Sequence, residues 1–355
     1  MEANLKRQPF WHGLRQRALA PQLVVLALAL AALVVAAASM GYVRVGFGDV
    51  LRILAGAVFG NCAEGVEPMV RAVVLDVRVP RILAAAAVGG ALAVSGAVFQ
   101  GILLNPLADP YTLGVSAGAA FGASIALLLN IAALGFFNVP LFAFAGAAAS
   151  LAVVMYLASS AGGLSSNNLI LSGIIVAAIL AAGISFLKYM ADERVSVLIF
   201  WLLGSLASRT WADVLLVSTV CAAGTAVCLY FSRDLNLMSL GTRTAASLGV
   251  EPRRVFPVLL ISASTMAAVC VSVSGIIGFV GLLVPHVARS VCGPDNRRLI
   301  PVSLFTGAIL LLGADTLTRA VLPAEVPIGV LTALIGGPFF CYVFRKRQTG
   351  GGHGF

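Results

Sequence analysis

The chain has 355 residues, of which 60% are hydrophobic and only 10% charged, with a mean hydropathy of +1.02. That balance excludes a water-soluble globular domain, whose charged fraction is about 25%. The formal net charge of +9 and pI of ≈ 9.7 raise nucleic acid as a partner, but the placement of the charges removes that reading below.

In chain order, a basic segment Met1–Pro21 precedes Leu23–Met40, an uncharged run of 18 residues without a convincing small-residue cleavage site. It reads as a retained first helix, not a signal peptide. Ile82–Leu104 follows a basic pair, Arg78 and Arg81, and runs 23 residues without charge. At ~1.5 Å per residue it exceeds the ~30 Å of bilayer hydrocarbon. Pro106 and Pro110 stop it in a short turn. Between Asp109 and Lys188 lie 78 residues with no charge, room for three spans broken near Asn138-Val-Pro140 and Gly162-Gly163. The spacing predicts an all-α, polytopic fold of about ten helices in a single transmembrane domain: 22–41, 82–104, 112–132, 140–160, 168–188, 212–231, 255–273, 275–292, 299–321 and 326–344. Val255–Ala288 offers 34 uncharged residues. A single helix of ~51 Å is too long, so two helices turning at Ser274-Gly275 are expected.

Ten spans put both termini on one side, with the segments 1–21, 232–254 and 345–355. That side holds 14 of the 23 basic residues and 5 of the 14 acidic ones, leaving 9 of each on the other. The whole excess, 14 − 5 = +9, lies on the side of the termini. The positive-inside rule makes that side cytoplasmic, so orientation accounts for the basicity and no nucleic-acid partner is expected.

Six cysteines show no CxxC or Cys/His spacing, so neither a thiolate metal site nor a disulfide framework is indicated. Cys221 and Cys228 read as packing residues, and Cys62 stands alone in an outer loop. An ion-driven carrier would bury acidic or His residues near the midplane, whereas Asp315 and Arg319 lie toward one end. An intramembrane enzyme needs a nucleophile with its base, or metal ligands; His286 sits at an inner helix end without such company. No GxxxxGK[ST] occurs, so the chain has no P-loop for ATP and energy must come from a partner.

Four long segments then carry a resemblance: RVPRILAAAAVGGALAVSGAVFQGILLNPLADPYTLGVSAG from Arg78, SLGTRTAASLGVEPRRV from Ser239, GIIGFVGLLVPHVAR from Gly275, and EVPIGVLTALIGGPFF from Glu325. They resemble, in order, the permease subunits of bacterial ABC importers for ferric siderophores, haem and vitamin B12. The resemblance implies a homodimer of ten-helix subunits in the inner membrane, two cytoplasmic ATPase subunits that hold ATP and Mg, and a periplasmic binding protein. No cofactor is implied for this chain.

Within that frame, Leu240–Gly249 (Leu240, Gly241, Ala245, Leu248 and Gly249) reads as a short amphipathic helix in the longest cytoplasmic loop, closed by Gly249. The resemblance makes it the segment that couples to the ATPase. Arg78, Arg81 and Arg319 are docking candidates for carboxylates of the binding protein. The plainer readings are headgroup anchors for Arg78 and Arg81 and an i,i+4 partner of Asp315 for Arg319, with docking favoured for the first two. By resemblance the cytoplasmic gate falls at Asn105, Leu107, Ser166 and Asn167, though a capped turn would also use such residues. Gly114, Gly118 and Gly122 form small-xxx-small steps on one helix face, for packing or for lining the pathway. Ser95–Pro106 and Ser274–Pro285 share a spacing that suggests a weak internal repeat.

Overall fold

The computed structural model describes residues 19–41, 45–59, 66–129, 138–161, 163–320 and 325–349. The basic N-terminal segment before Leu19, the loop with Cys62 and the tail beyond 349 lie outside them. The described chain is helical: α1 Leu19–Ser39, α2 Phe47–Phe59, α3 Pro68–Ile102, α4 Val115–Leu129, α5 Asn138–Ser160, α6 Ser166–Met190, α7 Val195–Leu202, α8 Trp211–Tyr230, α9 Ser232–Met238, α10 Thr242–Ser247, α11 Pro252–Ser274, α12 Val280–Cys292, α13 Asn296–Ala320 and α14 Ile328–Thr349. Seven are long and apolar enough to cross a membrane, and α4, α12 and the apolar part of α14 are shorter. Together these ten occupy every expected position.

α3 is the central pillar. Ala, Gly and Ser dominate its sequence, so neighbouring backbones close on it from several sides. It packs against α8, α11, α12 and α13, with Ser95 Oγ donating to Ala263 O at 2.7 Å. It also begins well before Arg81, because Pro68 starts a helix that continues through a π-helical stretch, Val73–Arg78, into the expected span. α1 stays peripheral, with just Ala37 and Ala38 buried. α6 likewise leaves Leu171, Ile174, Ile179 and Phe186 exposed.

Three expectations are corrected. The expected helix 275–292 is helical only from Val280; residues 275–279 are uncoiled. Its backbone is met locally: Ile277 N donates to the Tyr111 hydroxyl at 3.1 Å, and that hydroxyl donates to Ile277 O. Buried membrane backbone survives uncoiled when protein groups satisfy it in this way. The suggested repeat therefore has no common local structure, since Ser95–Ile102 is helical while the matching 275–279 is not. The expected helix 112–132 begins only at Val115, so Gly114 stands just ahead of it, though it still faces α5 with Gly118: a methyl at either would meet Ser150. Gly114 precedes α4 at φ +74, where Ser150 Oγ donates to its carbonyl at 2.8 Å, because the Asp109 turn delays the helix start: Tyr111 N and Thr112 N both donate to Asp109 Oδ1.

Candidate functional site

α3 and α13 run antiparallel, so they define two ends of the molecule. At one end lie the last residues of α3, the short helices α9 and α10, and the turn from α12 to α13. We call this the arm end. At the other lie Arg78, Arg81, Asp315, Arg319 and Glu325, the ionic end.

At the arm end the 232–254 loop is folded into two short helices. α10 is bounded by Gly241 at φ +101 and Gly249 at φ +88, backbone geometry that side chains resist. Leu248 N donates to Thr244 O, and Val250 N reaches back to Ala245 O at 3.1 Å, which closes α10 in a C-terminal cap. Ala245 is fully buried, whereas Leu240 and Leu248 are 61% and 55% exposed. One wall thus fixes α10 to the protein and the other presents two leucines outward, an arrangement that gives a rigid apolar projection for a partner.

The residues proposed for the gate lie beside it. Ser166 Oγ donates to Leu103 O at 2.5 Å, joining the start of α6 to the end of α3. Asn105 Oδ1 accepts from Leu107 N at 2.9 Å, which folds that turn. Leu107 and Asn167 are exposed. Ser165 caps α6 by accepting from Asn168 N, and Asn168 Nδ2 donates to Ala161 O and Gly163 O. The cap therefore falls on the residues flanking Ser166 and Asn167. A cavity of about 270 Å³ lies between α10, the start of α11 and Leu164 of the α5–α6 turn.

α4 and α5 pack through Gly118 and Gly122. A methyl at Gly118 would strike the Gly146 carbonyl, and one at Gly122 the Phe142 carbonyl.

At the ionic end the three arginines are not equivalent. Arg78 is buried, its Nη1 donating to Ala38 O at 2.6 Å. Arg319 is 8% exposed and donates from Nε to Asp315 Oδ2 at 3.0 Å. Arg81 reaches in both directions: Nη2 donates to the buried Asp315 at 2.9 Å, and Nη1 to Glu325 at 3.2 Å. The Glu325 side chain is 37% exposed, so this is the part of the network that meets the surface. Nearby, Arg209 donates to Val273 O and Ala207 O. Burial lowers its pKa from the usual arginine value, against the opposing pull of Asp213. A cavity of about 170 Å³ is lined here by Arg81, Asp315, Glu325, Phe200 and Ser205.

The spacing readings missed Asp109, Tyr111, Asn236, Arg209 and Glu325. Asp109 and Tyr111 lie in and just after the proline turn and Glu325 opens the segment from 325, while Asn236 and Arg209 carry no local signal.

A bundle of apolar helices, with a rigid helical projection at one end and an ionic network at the other, defines a multi-pass membrane permease. The chain belongs to the FecCD transport family, whose profile matches residues 28–346. It is 43% identical over 286 residues to a cobalamin import system permease of Halobacterium salinarum, covering 80% of this chain and 76% of that one. It is 37% identical over 327 residues to an Fe(3+)-citrate import system permease of Bacillus subtilis, covering 92% and 95%. Among solved structures it superposes on a metal-chelate type ABC transporter in an inward-facing conformation with a TM-score of 0.77 and 34% identity, covering 91% of this chain and 98% of that one. The protein is therefore an inner-membrane permease subunit of the ABC importer type.

Proposed function

We propose that the chain forms a homodimer that imports an iron chelate, a ferric siderophore or haem, by alternating access. A periplasmic binding protein delivers the cargo and two cytoplasmic ATPase subunits drive it. The observation that carries this is the superposition over 91% of the chain on a metal-chelate transporter. In this reading the arm end faces the cytoplasm, in keeping with the basic excess on that side. Leu240 and Leu248, on either side of α10, project into a cleft of the ATPase. The ionic end faces outward, and Arg81 is the arginine placed to meet a carboxylate of the binding protein, since Arg78 and Arg319 are enclosed.

A corrinoid cargo is the second reading, favoured by the 43% identity to the cobalamin permease. Copurification of the ATPase, followed by uptake into vesicles of ferric citrate, haem and cyanocobalamin, each with vanadate controls, tests both. ATP-dependent accumulation of an iron compound supports the first reading, and accumulation of cyanocobalamin alone replaces it with the second. Accumulation that ignores vanadate overturns ATP-driven import.

A further inference from the structure

α13, like α3, reaches both ends. Its 25 residues span ~37 Å at a rise of ~1.5 Å each. The first N–H groups of a helix have no partner inside it, and here one of them is met from α9. Asn236 Oδ1 accepts from Asn296 N at 2.9 Å and from Asn296 Nδ2 at 2.8 Å. Asn236 Nδ2 donates to Asp295 Oδ1 at 2.6 Å. The same carboxylate oxygen accepts from Arg297 N at 3.0 Å. Asn296 is buried, and its Oδ1 has no donor among the described residues, so α9 holds that amide. One residue earlier, Leu235 is fully buried and lies in contact distance of Gly101 on α3.

α9 therefore supplies part of the α13 cap while leading directly into α10. A displacement of the arm either carries the start of α13 with it or strips that cap. At the far end of the same helix, Asp315 binds Arg81 and Arg319, and Arg81 binds Glu325.

We propose that Asn236 is the joint through which the α9–α10 arm moves α13, and that α13 carries the motion to the ionic end. Asn236 is a positioning residue in this scheme, and the scheme rests on α10 being the ATPase contact. Coupling between two sites is reciprocal, so occupancy of the ionic end is felt at the arm through the same clasp.

The test uses transporter with its ATPase in nanodiscs, reading ATP hydrolysis with and without its binding protein. N236D keeps an acceptor for Asn296 N, loses the donor and sets a carboxylate against Asp295. Stimulation by the binding protein should fall about fivefold or more. Adding D295N exchanges amide and carboxylate across the contact and should restore most of it. A role confined to folding would lower the yield of transporter but not the stimulation per molecule. L248E is measured in parallel. Loss in L248E with full stimulation in N236D overturns the joint and leaves the arm standing. A loss in N236D that D295N does not restore also overturns it. Full stimulation in both variants overturns the arm itself, and the joint with it.

Discussion

The two ends of α13 are held by different chemistry. At the arm end an amide pair supplies a helix cap, with hydrogen bonds of 2.6–2.9 Å between half-buried and buried groups. At the ionic end a carboxylate that is 1% exposed sits between two guanidiniums. Hydrogen bonds of the first kind contribute about 0.5–1.5 kcal/mol each, and about 1.5–3 kcal/mol where the amide meets the Asp295 carboxylate. Removing one partner from the second leaves uncompensated buried charge, which is far more costly. The contrast teaches that the contacts at the arm end cost less to break than those at the ionic end.

The largest test of that contrast is Asp315→Ala. It strips both Arg81 and Arg319 of a partner and should destabilise the protein by about 3–5 kcal/mol, seen as loss of folded transporter after heating in detergent. Should Asp315→Ala melt like the wild type, the ionic end is not the more strongly held of the two.

Next come contacts between the two ends. Gly122→Ala should cost about 1–3 kcal/mol, because the new methyl meets the Phe142 carbonyl. Thermal unfolding measures it, and a neutral outcome would mean that α4 and α5 part easily. Tyr111→Phe leaves Ile277 N and O without their shared partner and should cost about 1–3 kcal/mol. Hydrogen exchange at residues 275–279 should rise in this variant and nowhere else.

The smallest effect belongs to the exposed rim. Glu325→Gln breaks a contact whose carboxylate side chain is 37% exposed, so stability should change by about 0–1 kcal/mol. If Arg81 receives a carboxylate of the binding protein, the same change frees it from a competitor. Affinity should then rise, most at low salt, in a titration at two ionic strengths. An unchanged affinity at low salt removes Arg81 from docking.

Much of the bundle was legible in the sequence, since uncharged runs such as Ile82–Leu104 leave no other state in a bilayer. The Ser274-Gly275 break was also readable, because length forbade one helix. Periodicity says nothing about an uncoiled stretch inside an apolar run, however, so it predicts helix over residues 275–279. It is likewise blind to Asp109 folding a turn ahead of α4, which starts that helix at Val115 and leaves Gly114 just before it at φ +74. At the sites, Leu248 and Gly249 stood out by pattern. The Arg81–Glu325 and Asn236–Asp295 pairs, 244 and 59 positions apart, exist only once the helices are assembled.

The most direct measurement is ATP-dependent uptake by proteoliposomes containing the ATPase and binding protein, comparing wild type with Leu248→Glu. The wild type should accumulate the chelate only when ATP is supplied to the ATPase, and Leu248→Glu should keep its ATPase bound while accumulating little. Equal uptake by the two, or uptake without ATP, would contradict a permease driven through α10.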